Sequence, residues 1–266
     1  MKEHSAKEEV QNRIAAGDTS LFDAVFSQTS QEDRRSLLSL QGAVSGLRNP
    51  YRYLEIGSHL GGSIQPYLLD SRCAGIISID KRPLKQRDER GGTYQYPENS
   101  TLRMMENLQG ISPEQVGKII TFDEDTGALN PSAMPFQPDA CFIDGEHTDE
   151  AVLRDFKFCL SVVKNPGLIY FHDSQLIFRG LRNALQLLAA SGLSFRAYNL
   201  PTCVFVIELG GFDLHKDARI VELLVDNHVG YLAGLEAMDS YRAFYFRPIV
   251  RLARWVARVI LFRSGV

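Results

Sequence analysis

The chain lacks most of the features that would place it in a specialised class. It has four cysteines in 266 residues, Cys73, Cys141, Cys159 and Cys203, none at metal-ligand spacing. Cys141 and Cys203 fall inside apolar runs, so the thiols read as reduced core residues rather than a disulfide framework or zinc module. No apolar stretch is long and uninterrupted enough to span a bilayer. The charged first nine residues have no apolar core behind them and are not a secretory signal, which leads to the expectation of a cytoplasmic protein. Lysine plus arginine number 29 against 32 acids, a net charge of −3, which leaves no electrostatic footprint for nucleic acid. No internal repeat, low-complexity tract or G-x-G-x-x-G fingerprint occurs. What remains, 44% hydrophobic and 23% charged, is globular material sufficient for one large core with appendages.

Apolar runs that read as strands alternate with helical segments: 51–56, 75–80, 118–122, 139–144 and 167–173. That alternation is the pattern of βαβ units and a parallel sheet covered on both faces. After a helix near 176–191, the runs 195–200 and 202–209 are separated by little more than Pro201, and so short a link allows only an antiparallel pair. The expected fold is α/β: a Rossmann-like doubly wound sheet of five parallel strands closed by an antiparallel terminal hairpin, over 48–210. A helical extension precedes it over 1–47, with Thr29 to Glu32 as a capping-box sequence. A second helical extension follows over 211–266, beginning with a helical segment at 218–227. The segment 81–100, rich in charge, Gly, Tyr and Pro, reads as a long loop at the mouth of the sheet.

Ligands of such sheets bind beyond the carboxyl ends of the strands. After the first strand comes Glu55-Ile-Gly-Ser-His-Leu-Gly-Gly-Ser63, where Gly57, Gly61 and Gly62 let backbone approach a ligand closely. The second strand ends in Asp80, an acid placed to accept hydrogen bonds from both hydroxyls of a ribose. The third is followed by Asp123-Glu-Asp125-Thr126, a further acid at the same edge. The fourth ends in Asp144-Gly-Glu-His147 and the fifth in His172-Asp173-Ser174, so acids and histidines from two strand ends share one mouth.

The glycine turn, Ile-Ser-Ile-Asp80, Phe-Ile-Asp144-Gly-Glu-His147 and Tyr-Phe-His172-Asp173 together resemble the class I S-adenosylmethionine-dependent methyltransferases. More narrowly, they are similar to the small-molecule and sugar O-methyltransferase branch that includes macrocin O-methyltransferase and cephalosporin hydroxylase-type proteins. The resemblance runs from about Tyr51 to Leu209. It implies that Glu55, Gly57 and Gly61 surround the methionine part of the cofactor, with Ser58 and Ser63 in the same turn. It further implies that Asp80 holds the ribose and Asp125 faces the adenine. In metal-dependent relatives, acids at the last two strand ends hold a divalent ion. Here Asp144 and Asp173 supply hard oxygen ligands of the kind Mg2+ prefers, with His172 or Ser174 beside them, although His172 stands where some relatives carry a second acid.

An aliphatic hydroxyl is a poor nucleophile at neutral pH and needs a base or a metal. His147, which titrates near neutrality, is the candidate general base, with Asp144 beside it; the competing role is a histidine that only hydrogen-bonds the loop. For Asp144 and Asp173 the competing role is N-capping of the helices that follow. Asp155 could brace a histidine or be a solvated helical acid, and His59 could contact the ligand or be a loop residue. The expected activity is methyl transfer to a hydroxyl of a sugar, glycolipid or secondary metabolite. A nicotinamide-dependent oxidoreductase and a catalytically silent scaffold of the same fold are the alternatives.

In the last stretch, 244–262, Arg247, Arg251, Arg254 and Arg258 fall on one helical face, opposite a broad apolar one that includes Trp255. Two readings stand here: a helix lying in a membrane interface at the inner face of the membrane, or a terminal helix buried against its own core or in a homodimer. The first would suit a lipid-linked sugar as acceptor.

Overall fold

The structure, a computed structural model, describes residues 2–263. It forms two compact units, one ending at Asn227 and one beginning at His228. The first starts with helices α1 (Lys2–Ala15) and α2 (Gln31–Leu47), followed by strand β1 (Tyr51–Ile56), the short helix α3 (Gln65–Leu69) and β2 (Cys73–Ile79). A small hairpin of β3 (Lys85–Arg87) and β4 (Thr93–Gln95) precedes α4 (Thr101–Ile111) and β5 (Ile119–Phe122). Next come β6 (Ala140–Ile143), α5 (Asp149–Val162), β7 (Gly167–Phe171), α6 (Phe178–Ser191), β8 (Phe195–Asn199) and β9 (Phe205–Leu209). The unit closes with α7 (Ala218–Leu223) and β10 (Asp226–Asn227), and the second unit comprises α8 (His228–Tyr245) and α9 (Pro248–Arg263).

The main sheet runs β10-β8-β9-β7-β6-β1-β2-β5. Neighbours from β7 to β5 are parallel, while β9, β8 and β10 add antiparallel at the other edge. The chain moves outward from β1 through β2 to β5, then returns to place β6 on the opposite side of β1. Strand order therefore reverses between β1 and β6, and in a doubly wound sheet this switch point opens the ligand crevice at the strands' carboxyl ends. Strands β6, β7 and β9 are buried along their whole length, as expected when helices cover both faces.

The helical preface is part of this core rather than an appendage. Ile14, Leu37, Leu38, Leu40 and Val44 join Tyr51, Tyr53, Tyr67 and Tyr170 in one buried cluster. The crossover helix α3 is a single turn of five residues, too short to cover its side of the sheet. Helix α2 takes that place, with the Gln41 side-chain amide donating to Tyr51 Oη at 2.9 Å and to the Pro66 carbonyl at 3.1 Å. The compact unit thus extends past the boundaries drawn at residues 47 and 210.

Several local expectations change. The capping box at α2 is Ser30 with Asp33 rather than Thr29 with Glu32. The segment 81–100 holds the β3–β4 hairpin instead of being all loop. The helix expected over 218–227 stops at Leu223, because the chain then pairs β10 with β8. The terminal helix starts at Pro248, a residue that suits a first helical turn and cannot continue one before it.

Candidate active site

The turn after β1 and the turn after β6 meet at the switch point. The Gly57 N–H donates to the Ile79 carbonyl at 2.8 Å and the Asp144 N–H to the Ile56 carbonyl at 2.9 Å. Gly57 has φ +92°, and a Cβ there would lie 2.1 Å from the Asp144 carbonyl oxygen. Glycine is required for this contact. Asp80, at the end of β2, ties in the same turn: its carboxylate accepts the His59 N–H at 2.9 Å and the Arg82 N–H at 2.7 Å.

These elements line an open groove bounded by Gly57, Asp80, Tyr96 and Asp125 among others. At its far side Lys81 Nζ bridges Glu146 at 2.5 Å and Asp125 at 3.7 Å, and Arg154 pairs with Asp125 at 2.8 Å. Asp155 bonds Thr126 and Arg154 here, so it braces the groove and no histidine. Carboxylates at the ends of β2 and β5, one on each wall, suit a nucleoside whose ribose and base offer donors.

Two of the residues implied for the cofactor lie elsewhere. Glu55 is fully buried beneath the glycine turn and accepts hydrogen bonds from Tyr53 Oη and Ser63 Oγ, both at 2.6 Å. Gly61 packs against α4, where a Cβ would come 3.0 Å from the Leu108 side chain. Both support the turn from behind and line neither cavity. Strand alternation explains Glu55: its side chain points into the layer between sheet and helices, two positions before the turn. Ser58 and Ser63 border the second cavity instead, with Ser58 Oγ receiving the Ser78 hydroxyl at 2.8 Å.

Burial pushes the Glu55 carboxyl up to about 7, against the two hydroxyl hydrogen bonds that lower it and with Asp144 and Asp80 adding to the rise. Above its ordinary value the unfolded chain carries Glu55 ionised while the folded chain keeps it protonated. Stability therefore falls as pH rises toward about 7. Glu55→Gln keeps the shape, and both hydroxyls can turn from donor to acceptor. The substitution is expected to be nearly neutral at low pH and stabilising by about 3 kcal/mol above neutrality. Urea denaturation at two pH values measures this, and an equal effect at both would show an ordinary carboxylate.

The second cavity, about 400 Å³, shares Gly57, His59, Tyr96 and Asp144 with the groove. Phe26, Tyr94, His147, His172 and Asp173 complete its wall. The structure brings His147, Asp144, His172 and Asp173 together as expected. His147 Nε2 lies 3.0 Å from Asp173 Oδ2 and 4.0 Å from Asp144 Oδ1. His172 Nδ1 lies 3.0 Å from Asp173 Oδ2 and 3.3 Å from Asp144 Oδ1. Neither acid is a helix cap: Thr148 caps α5, and α6 has no side-chain cap. Asp173 holds φ +52°, a left-handed conformation that is uncommon without glycine.

Asp33 was missed in the sequence. From the first turn of α2 it reaches His172 Nε2 at 3.4 Å and bonds the Thr202 hydroxyl. Its only sequence signal, an acid early in a helix, is the signal of a cap, and it serves as one too. Burial alone would lower the His172 pKa, but Asp144, Asp173 and Asp33 around it raise it well above the ordinary histidine value. His147 is likewise lowered by burial and raised on balance, chiefly by its hydrogen bond to Asp173. Burial works to raise Asp173, yet the two histidines hold it well below the usual carboxylate range.

Ligand atoms of Asp144, His172 and Asp173 lie within 4.8 Å of one another, as do those of Asp33, His172 and Cys203. The first set fits Mg2+ poorly. Magnesium demands oxygen ligands at close range, whereas here the His172 imidazole sits between the two carboxylates, its Nδ1 3.0 Å from Asp173 and 3.3 Å from Asp144. His59 lies in the glycine turn, where its N–H donates to Asp80 at 2.9 Å. Its ring bonds the Pro97 carbonyl, its Nε2 is buried without a partner, burial lowers its pKa, and the residue lines both cavities.

Residues 54–174 match the family model described as a methyltransferase domain. Uncharacterized protein R132 of Acanthamoeba polyphaga mimivirus is 28% identical over 125 residues, covering 46% of this chain and 51% of that protein. The chain therefore spans about half the length of the curated relative it matches. Among solved structures, the O-methyltransferase TomG from Streptomyces achromogenes, in complex with S-adenosylmethionine, is 14% identical with a TM-score of 0.48, over 76% of this chain and 89% of that one. An O-methyltransferase from Bacillus cereus, bound to S-adenosylhomocysteine, is 16% identical with a TM-score of 0.44, over 77% and 90% of the two chains. Every residue lining the groove falls inside the family match. The stretch from 54 to 174 is thus similar to a methyltransferase domain.

Proposed function

We propose that the protein is an O-methyltransferase whose acceptor is a small hydroxylated molecule, a sugar or a glycosylated metabolite. The observation that carries this reading is the His147–Asp173 pair, set at 3.0 Å in the cavity that adjoins the cofactor groove. Bound in that groove, S-adenosylmethionine supplies an electrophilic methyl group on a sulfonium. With Nε2–H donated to Asp173, the lone pair of His147 lies on Nδ1, and that atom takes the acceptor's proton as the oxygen–methyl bond forms. Asp173 fixes the ring and stabilises the imidazolium that results. His172, whose ring nitrogens lie 3.0–3.4 Å from Asp33, Asp144 and Asp173, keeps the carboxylates oriented. Phe26, Tyr94 and Tyr96 give the acceptor cavity aromatic walls beside its acids, a combination suited to a sugar's apolar ring face and its hydroxyls.

His59 Nε2 would accept a hydrogen bond from a bound donor, for which the cofactor's ammonium group is the chemical match. His59→Ala is expected to weaken S-adenosylmethionine binding roughly ten- to a hundredfold. Calorimetric titration would show this, and an unchanged Kd would assign the nitrogen to the acceptor side.

The deciding experiment follows transfer of a labelled methyl group from S-adenosylmethionine to a panel of hydroxylated acceptors, with and without chelator. Ether products formed at the same rate in chelator support the reading. Loss of turnover in chelator would return the strand-end acids to metal binding, and absence of cofactor binding would sink the activity as stated.

A further inference from the structure

We infer that α9 is a docking surface for an anionic phospholipid membrane. Helix α9 carries arginines at 251, 254, 258 and 263 and no acidic residue, in a chain whose net charge is −3. Charge is therefore segregated into this segment. At 100° per residue, Arg251 and Arg254 share one face with the preceding Arg247, and Ile249, Leu252 and Val256 lie on the opposite one. The apolar side chains are unburied: Ile249 is 81% exposed, and Leu252 and Trp255 are each 62% exposed. Phe244 and Phe246, at the junction with α8, are exposed as well. Two arginines lie along aromatic rings there, Arg247 over Phe244 at 5.9 Å and Arg254 over Tyr245 at 3.4 Å.

An exposed apolar row of this length marks an interaction surface. Charge complementarity selects its occupant. A second copy of α9 would bring apolar side chains but no anion for the arginines. A bilayer with acidic headgroups supplies an apolar layer for Leu252 and Trp255 and phosphates for Arg251 and Arg254 at the same depth. Among the described residues no helix is long and apolar enough to cross a membrane, so the helix lies in the interface.

Trp255 is the only tryptophan in the chain, which makes intrinsic fluorescence a reporter of this helix alone. Titrating the full chain with phosphatidylglycerol–phosphatidylcholine vesicles is expected to shift Trp255 emission to the blue and to carry the protein into the vesicle pellet. Both effects should weaken as salt is raised. The double variant Arg251→Gln/Arg254→Gln should lower the partition coefficient roughly twenty-five-fold, since each basic residue near an acidic surface contributes about 1 kcal/mol. Leu252→Glu, at an exposed position that puts folding at no risk, should abolish the blue shift. No shift and no pelleting with acidic vesicles would overturn the assignment. So would equal binding to pure phosphatidylcholine, or a concentration-dependent dimer that Leu252→Glu dissolves, which would give the face to a second copy.

Discussion

Replacing His147 by Asn is expected to lower kcat for methyl transfer roughly 10²–10⁴-fold, with the Kd for S-adenosylmethionine unchanged. The separation follows from geometry: His147 lines the second cavity, proposed for the acceptor, and is absent from the groove proposed for the cofactor. Its only short polar contact in that wall is to Asp173, at 3.0 Å among the described residues. Asn has no basic nitrogen, and its shorter amide falls short of the Nε2 position that meets Asp173. The wild-type rate should also carry the sign of the base. Because Asp173 and Asp144 raise the His147 pKa above the ordinary value, the ring is protonated and inactive at lower pH. Activity should then rise with pH through that raised value. A variant that keeps the wild-type rate would remove His147 from the chemistry. His59, the other histidine outside the His147–His172 cluster that lines this cavity, would be the next residue to test.

Gly57→Ala is expected to destabilise the fold by about 2–4 kcal/mol and to abolish cofactor binding in the fraction that still folds. A Cβ at this position would lie 2.1 Å from the Asp144 carbonyl oxygen and 2.7 Å from the Gly145 Cα. Both are backbone atoms at the switch point, and neither can rotate away. Relief requires the β1 and β6 turns to separate, which opens the wall common to both cavities. Gly91→Ala is the control. It has φ +79° and nothing within 4 Å of its Cβ, so it should cost about 1 kcal/mol of backbone strain alone. Thermal denaturation of both variants separates strain from collision, and equal losses would show that the turn has room to relax.

Legibility differed between the strand ends and their surroundings. Asp80, Asp144, His172 and Asp173 were recognisable because each follows a buried apolar run, and a polar residue at a parallel strand's carboxyl end has one place to go. Glu55 carried the same kind of signal and goes to the opposite place. One position's difference in strand alternation sends a side chain into the core or toward the ligand, and the boundary between strand and turn is the least legible feature of a sequence. Asp33 shows the reverse error. Its cap signal was real, but its contact with His172 spans 139 positions of sequence between Asp33 and His172, and no local pattern records such a distance. The capping roles weighed for Asp144 and Asp173 were settled by Thr148, which occupies the cap of α5.

By itself the sequence determined the sheet, its five parallel strands and antiparallel hairpin, the glycine turn and the set of acids and histidines at the mouth. These follow from hydrophobic period, from glycine spacing and from the rule that strands in a covered sheet expose polar groups only at their ends. Tertiary structure alone decided that α2 covers the face α3 is too short to reach, that Asp33 thereby enters the site, and that two cavities meet at Gly57 and His59. The physical reason is common to all three. Each depends on which surface remains uncovered after the local elements have formed, and that is a property of the assembled layers rather than of any segment.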